Sequence, residues 1–295
     1  MGSIDGWPQI GTEVIMSRSE LRAGGSGANA ALAMRHLGQP AHLISAVGND
    51  DFGTWLGTQF HQLRSDFQVC PVPSTVSVGI MHADGERNFF TTQGHLEHLS
   101  PGYALEQLPP AACPGSIVLF TGVFLLPALR RDYPYLMNTV ASLGYQVALD
   151  TGWPSDNWNA DNRAEFATWL PLCDHLLINE LEALSITDTS NLDSAIAALS
   201  AGLKPGATLV VKTGPRGAIG VQNNELIEHA SETAAIFDTI GAGDSFNAGY
   251  LAARLQGASL PQALSTGCRA AVAILTRFPR HTIVPGEFAS VLTHG

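Results

Sequence analysis

Short runs of apolar and β-branched residues alternate along this chain with stretches long enough to form helices. Five runs are predicted as strands: residues 42–47, 116–121, 146–150, 175–178 and 208–212. Runs that are apolar at nearly every position are typical of strands buried on both faces, and parallel strands need helical crossover connections. The pattern predicts an α/β fold in which helices wrap a mostly parallel sheet.

The stretches between these runs have the composition of amphipathic helices. We predict helices at residues 28–37, 54–63, 128–143, 192–201, 244–256 and 260–276. Three of them are followed directly by a glycine, namely Gly38, Gly144 and Gly202. Glycine just past a helix end adopts the left-handed conformation that terminates the helix.

Two segments have a different pattern, in which polar and apolar residues alternate. They are residues 11–22 and 76–92, and the second contains Asp84-Gly85, a tight hairpin turn signal. Alternation is typical of sheet with one solvated face. We predict one domain over residues 1–295 whose small antiparallel β lid is contributed by about 9–23 and 74–93. An edge extension of the main sheet is the alternative.

The chain is acidic and poor in charge. Its 295 residues include 15 Lys+Arg against 26 Asp+Glu, so the formal net charge is 15 − 26 = −11. This balance argues against nucleic-acid binding, which needs a basic surface. A hydrophobic content of 45% argues against a disordered chain. An anionic ligand would need local positive charge or backbone N–H groups.

Cysteine usage and the absence of long apolar runs suggest a compartment. The cysteines, at positions 70, 113, 173 and 268, form no C-x-x-C pair, which favours free thiols in a reducing environment. No apolar run approaches the ~20 residues of a membrane span. The first residues lack the basic and apolar regions of a secretory signal. We expect a cytoplasmic protein that binds neither membrane nor nucleic acid.

The strongest motif lies at residues 237–249. Gly241, Ala242 and Gly243 follow a strand-like run and precede a helix, so their N–H groups can converge at a helix N-terminus and bind an anion. Asp244 stands at the same place. It is interpreted either as the N-cap of the helix or as a general base that accepts a hydroxyl proton during phosphoryl transfer.

Four motifs, in order along the chain, resemble those of the PfkB/ribokinase family of sugar and nucleoside kinases. Asp238-Thr239-Ile240-Gly241-Ala242-Gly243-Asp244 resembles the family signature D-T-x-G-A-G-D. The remaining three are the glycine segment at 24–31, Asn179-Glu180-Leu181-Glu182, and the turn at 212–217. The resemblance covers roughly residues 10–290. It implies a ribokinase-like three-layer α/β/α sandwich and transfer of the γ-phosphate of ATP.

The resemblance also implies roles for individual residues. Asp244 would be the general base, and the amides of Gly241, Ala242 and Gly243 would form the anion hole. The substrate would contact Gly25, Ser26, Asn29 and Asp244. The nucleotide would lie along Asn179, Lys212, Thr213, Gly214, Gly217, Gly241 and Gly243. Two alternatives stay open: Lys212 as a solvent-exposed strand end, and Asn29 as a helix cap.

Two acidic residues are implied as metal ligands. Glu182, with Asn179, would orient Mg²⁺ through water, because Mg²⁺ retains much of its hydration; the alternative is an ordinary helix capping pair. Asp238 would help to bind a monovalent cation such as K⁺. The loop that usually completes that site reads Thr276-Arg277-Phe278-Pro279-Arg280 here, without the small Gly-Ala pair common in ribokinases.

Departures from the family pattern bear on the substrate. Ser26 stands where ribokinases carry a lysine, and Thr121-Gly122-Val123-Phe124 lacks their acidic residue, which weakens ribose as the substrate. No arginine follows Asp150 closely, which disfavours acid sugars. Trp153 or Trp158 is a candidate to stack on a sugar or a base, although large aromatics more often belong to the core.

The N-terminus departs furthest. Family members open with a strand whose aspartate contacts the sugar, ahead of a turn that residues 7–13 resemble. Six residues precede that turn here, and Asp5 lies too close to it to replace the aspartate. We therefore expect the first strand to be shortened or replaced.

The leading hypothesis is an ATP-dependent kinase that phosphorylates a hydroxymethyl group of a free monosaccharide. The alternatives are a nucleoside kinase of the same family and a non-catalytic sensor of sugar or nucleotide. The cofactors expected are ATP, Mg²⁺ and, less firmly, K⁺. Unpaired strand edges tend to be covered, so we also predict a homodimer formed through the lid.

Overall fold

The computed structural model describes residues 1–4, 6–82, 87–110, 115–236 and 238–293. The strands, in chain order, are β1 (Gly2–Ser3), β2 (His42–Gly48), β3 (Arg64–Cys70), β4 (Ser77–Met81), β5 (Arg87–Thr91), β6 (Ile117–Thr121), β7 (Gln146–Asp150), β8 (His175–Asn179), β9 (Thr208–Lys212), β10 (Ala218–Gln222) and β11 (Glu225–His229). The helices are α1 (Ser26–His36), α2 (Asp51–Gln59), α3 (Pro101–Gln107), α4 (Pro127–Arg130), α5 (Tyr133–Ser142), α6 (Ala160–Trp169), α7 (Glu180–Thr187), α8 (Leu192–Gly202), α9 (Ala242–Leu255) and α10 (Leu260–Leu275).

A six-stranded sheet forms the body of the molecule, in the order β11-β10-β9-β8-β7-β6. Strands β6 to β9 are parallel, and β10 and β11 continue the sheet as antiparallel strands. Four of the five predicted strands lie in this sheet. The α/β prediction with a mostly parallel central sheet is confirmed.

Apolar cores lie on both faces of the sheet. Val147 and Leu149 of β7 belong to one core, together with residues of α5, α6 and α8, whereas Ala148 between them belongs to a second core with residues of α9 and α10. Successive side chains of a strand point to opposite faces. The sheet is therefore covered on both sides, as a three-layer sandwich requires.

The predicted strand at 42–47 forms, as β2, but it pairs in parallel with β3 in a separate two-stranded sheet.

The Cys70 thiol lies at the buried end of β3. Cys70, Cys173 and Cys268 are buried free thiols, and Cys113 is outside the described residues. No helix in the described ranges is both long and apolar enough to cross a bilayer.

The lid is a three-stranded sheet of order β1-β4-β5. The β4–β5 pair is the antiparallel hairpin predicted for 76–92, and its predicted turn at Asp84-Gly85 lies outside the described residues. The first strand, β1, pairs in parallel with β4 and does not join the central sheet.

The strand prediction for residues 11–22 is wrong. Only Ser19 makes a β-bridge, to Gly2, and the rest of the segment is irregular. Ile10 and Ile15 are almost completely exposed. An alternating pattern forms a strand only when one face is buried against a partner along its length. Here residues 11–17 are exposed, and pairing with residues 1–3 is limited to residues 17–20.

Helix boundaries differ from prediction where capping decides them. The helix expected at 128–143 is divided into α4 and α5, because Pro134 lies in the first turn of α5 and proline has no N–H for a continuous helix. Helix α2 begins three residues early because the Asp50 side chain accepts a hydrogen bond from Gly53 N at 2.8 Å. The ends at 192–201, 244–256 and 260–276 agree within two residues.

Candidate active site

The carboxyl ends of β7, β8 and β9 meet at one edge of the central sheet, where ligands bind in open α/β folds. Asp150, Asn179 and Lys212 are the last residues of these strands. The N-termini of α1 and α9 join them, since Asn29 of α1 bonds to Asp244 of α9. The structure thus brings together predicted site residues from four distant parts of the sequence, namely Asn29, Asn179, Lys212 and Asp244.

Residues 240–243, here called the anion loop, lead into α9. Gly241 is the N-cap residue, with φ +77°, a conformation that favours glycine. Among the described contacts, the amides of Gly241 and Gly243 have no acceptor, whereas the Ala242 amide donates to Thr239 O at 3.2 Å. The anion hole was predicted to use all three amides; in this conformation Ala242 closes the turn instead.

Asp244 lies in the first turn of α9 without capping it. The cap is the backbone of Gly241, with no side-chain hydrogen bond, so the N-cap alternative for Asp244 is wrong. The Asp244 carboxylate accepts a hydrogen bond from Asn29 Nδ2 at 2.8 Å. Burial and the nearby charge of Asp150 raise the pKa of Asp244 to about 6, against the opposing effects of Asn29 and Lys212. A carboxyl with such a pKa exchanges protons near neutral pH.

A buried charge cluster supports the anion loop from the sheet. Lys212 Nζ lies 2.9 Å from Asp150 Oδ2 and 3.2 Å from Asn247 Oδ1, and Asn247 also donates to Asp150. The side chains of Lys212 and Asp150 are only 12% and 10% exposed, so Lys212 is not a solvent-exposed strand end. A Cβ placed on Gly243 would lie 3.3 Å from Lys212 Nζ. The ammonium group therefore lies against the anion loop.

Asp150 and Asn247 belong to this cluster, yet neither was predicted as a site residue, although Asn247 lies within the stretch 237–249. Asp150 ends a predicted strand, as Lys212 does, and that position was the available signal. Burial lowers the pKa of Lys212, but the charges of Asp150 and Glu182 outweigh it, so the pKa lies above its ordinary value. Lys212 is thus a fixed positive charge within an acidic protein.

Asn179 and Glu182 form a capping box at the start of α7. Asn179 N donates to Glu182 Oε2 and Glu182 N donates to Asn179 Oδ1, each at 2.8 Å. The capping alternative is therefore realised. Burial and the charge of Asp150 raise the pKa of Glu182 to about 7. In the described part of the chain, no cluster of three or more His, Cys, Asp or Glu side chains could hold a metal. These donors fit a Mg²⁺ ion that keeps its water shell.

The side of the site next to the start of α1, where the sugar was predicted to bind, is lined by glycines. Gly25, with φ +94°, precedes α1, and a Cβ placed there would meet no atom within 4 Å. A Cβ on Gly122 would lie 3.6 Å from Ser26 Oγ, and one on Gly152 would lie 3.8 Å from Gly122 Cα. After β6 and β7, the chain thus presents glycine backbone, and no large side chain, toward the start of α1. Of the two tryptophan candidates, Trp158 is buried in the core and Trp153, beside Gly152, is 40% exposed.

The turn after β9 holds the remaining predicted nucleotide residues. Thr213 N donates to Gly217 O at 2.9 Å, which closes the turn. Gly214 has φ +62° and no atom within 4 Å of a Cβ position, so space is open beside the strand end. At Gly217 a Cβ would lie 1.9 Å from His229 O, so only glycine fits. This turn shares the sheet edge with Lys212.

Asp238 is surrounded by arginines. Its carboxylate accepts hydrogen bonds from Arg280 Nη2 at 2.9 Å and from both Nη atoms of Arg22 at 3.3 Å. The carbonyls of Asp238 and Ile240 also accept from Arg280. The oxygens that were expected to bind a monovalent cation are therefore occupied by guanidinium groups. These residues do not fit K⁺.

The fold and the site define an enzyme class: an α/β phosphotransferase, in which a glycine loop at a helix N-terminus faces a partly buried carboxylate. The model of the pfkB family carbohydrate kinases matches residues 10–282. The chain therefore belongs to the PfkB family of carbohydrate kinases, which use ATP and transfer a phosphoryl group to an alcohol acceptor.

Named relatives are consistent with this assignment. The fructokinase of Klebsiella pneumoniae is 29% identical over 239 residues, which span 78% of this chain and 76% of that protein. Two solved structures share the fold. A putative ribokinase II from Escherichia coli, in its apo form, has a TM-score of 0.80 at 21% identity, over 100% of this chain and 96% of that one. Adenosine kinase from Sinorhizobium meliloti has a TM-score of 0.79 at 22% identity, over 93% and 84%.

Proposed function

We propose that this protein is an ATP-dependent kinase that phosphorylates a hydroxymethyl group of a free monosaccharide, with Asp244 as general base. One observation carries the proposal: Asp244 is a partly buried carboxylate with a raised pKa, hydrogen-bonded to Asn29 and adjacent to two amides that have no acceptor among the described residues. This combination suits removal of a hydroxyl proton beside a group that gains negative charge.

Three groups of this chain divide the work in the proposed reaction. Asp244 accepts the proton of the substrate hydroxyl as that oxygen attacks the γ-phosphate. The Gly241 and Gly243 amides donate hydrogen bonds to the transferring phosphoryl group, and the Lys212 ammonium adds positive charge behind them. When bound, Mg²⁺ neutralises charge on the phosphates. Glu182 and Asn179 are the residues that we assign to its water shell.

The remaining binding assignments follow the placement of the glycines. We propose that Gly25, Ser26 and Asn29 contact sugar hydroxyls, since the backbone at Gly25 is open to a ligand and the Asn29 amide lies beside Asp244. Thr213, Gly214 and Gly217 form the turn along which we place the nucleotide. An anionic nucleotide is then held by backbone N–H groups and one buried lysine, despite the net charge of −11.

A nucleoside is the second candidate acceptor, and one residue favours it. The Trp153 indole is partly exposed beside Gly152, at the sugar side of the site, and donates to Asn157 Oδ1 at 3.2 Å. A fixed, exposed indole provides a face for stacking of a base. Adenosine kinase is among the proteins with this fold. We therefore include nucleosides in the test.

The lid supports two further proposals. We propose that it closes over the bound sugar and excludes water that would otherwise hydrolyse ATP. We also propose that two copies associate through it. Phe89 and Phe90 of β5 are 46% and 56% exposed, and adjacent strand residues face opposite sides. Both faces of the hairpin thus present aromatic surface, one for closure and one for a second copy.

A coupled ADP-release assay tests the proposed function. Hexoses, pentoses, keto-deoxy acids and nucleosides are each offered with MgATP, and product is confirmed by mass. We expect turnover with a neutral sugar. Turnover only with nucleosides would select the second candidate. Binding of both a sugar and ATP, with no turnover on any acceptor, would identify a sensor and contradict the kinase proposal.

A further inference from the structure

Arg280 lies against the anion loop although no motif includes it. It follows α10, and its guanidinium reaches back to Asp238 and Ile240. Nη1 donates to Ile240 O, and Nη2 donates to Asp238 O and Asp238 Oδ1, both at 2.9 Å. A Cβ on Gly241 would lie 3.6 Å from Arg280 Nη1. One side chain thus fixes the backbone on the N-terminal side of the anion loop.

The charges around Arg280 are balanced. Arg280 and Arg22 face Asp238 and Glu20, two cations against two anions, through contacts of 2.9 to 3.7 Å. Glu20 also accepts a hydrogen bond from Arg280 N at 2.9 Å. The four side chains are between 4% and 14% exposed. An added cation here would meet a neutral cluster whose oxygens already accept hydrogen bonds.

The oxygens that face Arg280 are two backbone carbonyls and one carboxylate. Such oxygens also replace the water shell of a bound monovalent cation. A guanidinium satisfies them with directed hydrogen bonds and cannot dissociate from the protein. It therefore supplies both positive charge and a fixed loop conformation.

We propose that Arg280 is a positioning residue that serves as a built-in cation beneath the anion loop, so that phosphoryl transfer by this protein needs no monovalent metal ion. The proposal rests on the proposed kinase function. Arg280 acts through the backbone of the loop and does not itself touch the reacting atoms.

The test compares wild-type protein with Arg280→Ala in KCl and in choline chloride at equal ionic strength. We expect wild-type kcat/KM to differ by less than about twofold between the salts. Arg280→Ala leaves the cluster with one excess negative charge, removes the Arg280 hydrogen bonds to two backbone carbonyls, and removes one of the hydrogen bonds to the Asp238 carboxylate. We expect it to lose activity in choline and to regain at least about fivefold in KCl, the lower end of ordinary coupling between sites.

A second readout does not depend on turnover. Because a ligand that binds only the folded state raises the Tm, we expect KCl to raise the Tm of Arg280→Ala relative to choline chloride and to leave that of wild type unchanged. Arg280→Gln, which keeps more of the side-chain volume, is measured in parallel and replaces Arg280→Ala if the latter does not fold. Arg280→Lys, which restores a charge, is expected to remain independent of KCl.

Arg277→Ala is the matched control. Arg277 lies in the same segment, but it pairs with Glu287 and is 53% exposed. We expect it to respond to KCl as wild type does. Activation of the wild-type protein several-fold by KCl would overturn the proposal. It would also be overturned if the Tm of folded Arg280→Ala or Arg280→Gln protein did not change with KCl. Absence of turnover with every acceptor contradicts the kinase function instead, and the Tm comparison still decides the role of Arg280.

Discussion

The phosphate end of the site and the lid are built in opposite ways. Around the anion loop, charged groups are buried and paired, as in the Lys212–Asp150 pair, whose side chains are only 12% and 10% exposed. In the lid and the segment before it, apolar groups are exposed, with Ile10 and Ile15 almost fully in solvent. Buried paired charges hold a fixed geometry, whereas exposed apolar surface gains free energy only when something covers it. The anion loop is thus held in a fixed geometry, whereas the lid exposes apolar surface that we propose a bound sugar or a second copy covers.

The largest expected effect is on turnover, from a change at the phosphate end of the site. Asp244→Asn keeps the shape of the side chain and its place beside Asn29 but removes the base. We expect kcat with the best acceptor to fall about 10²-fold or more, because general base catalysis typically contributes 10²–10⁴-fold. ADP release measures the loss. The control is Asp193→Asn, which changes an aspartate in the first turn of α8, away from the site. Unchanged turnover by Asp244→Asn would remove the general base from the proposal.

The next largest effect is expected on the free energy of unfolding, when the buried Lys212–Asp150 pair is broken. Lys212→Met leaves Asp150 buried without its cation and close to Glu182 and Asp244. Removal of one partner of a buried pair costs about 3–5 kcal/mol, which urea unfolding can measure. The matched control is Arg216→Met, since the Arg216–Glu180 pair is 64% and 34% exposed and exposed pairs contribute little. Equal losses in the two variants would show that burial does not make the Lys212–Asp150 pair more important for stability than an exposed pair.

The pH dependence of kcat/KM tests which group titrates. Asp244 must be deprotonated to accept a proton, and its pKa is about 6, so activity should fall as the pH drops through about 6. Asp150→Asn removes a charge that raises this pKa, and should move the acidic limb to lower pH. Asn29→Ala removes a donor that lowers it, and should move the limb to higher pH. Each shift should be about one unit. Shifts in the same direction would assign the limb to another group.

Much of the central body could be predicted from the sequence. Strands β7 and β9 were predicted with their observed ends, because buried parallel strands read as continuous apolar runs between polar residues. The site residues Asn29, Lys212 and Asp244 were found through motifs, and the structure brings them to one sheet edge. Each of these residues stands in a short motif at a strand or helix end, so the residues could be identified although their contacts join segments 215 and 62 residues apart.

What the sequence could not predict depends on contacts between distant segments. Arg280 bonds to Asp238 across 42 residues, and Asn247 donates to Asp150 across 97, so neither pairing leaves a local pattern. The strand prediction for residues 11–22 failed for the opposite reason. Their alternation is a local pattern without the partner that would make it a strand. A local sequence pattern predicted the structure correctly where the tertiary contacts of that segment agreed with the pattern.

The smallest effect is expected at the exposed end. Phe90 contacts Trp7 edge to face, with ring centroids 6.3 Å apart, and both remain about half exposed. If two copies associate through the lid, Phe89→Ser with Phe90→Ser should shift sedimentation velocity from dimer to monomer. The Tm should hardly change, since little surface is buried within one chain. The matched control is Leu226→Ser on β11, an exposed residue on an edge strand of the central sheet and outside the lid. A wild-type monomer, or a dimer lost equally in the control, would contradict association through the lid and leave closure over the sugar as the reason for its exposed aromatic faces.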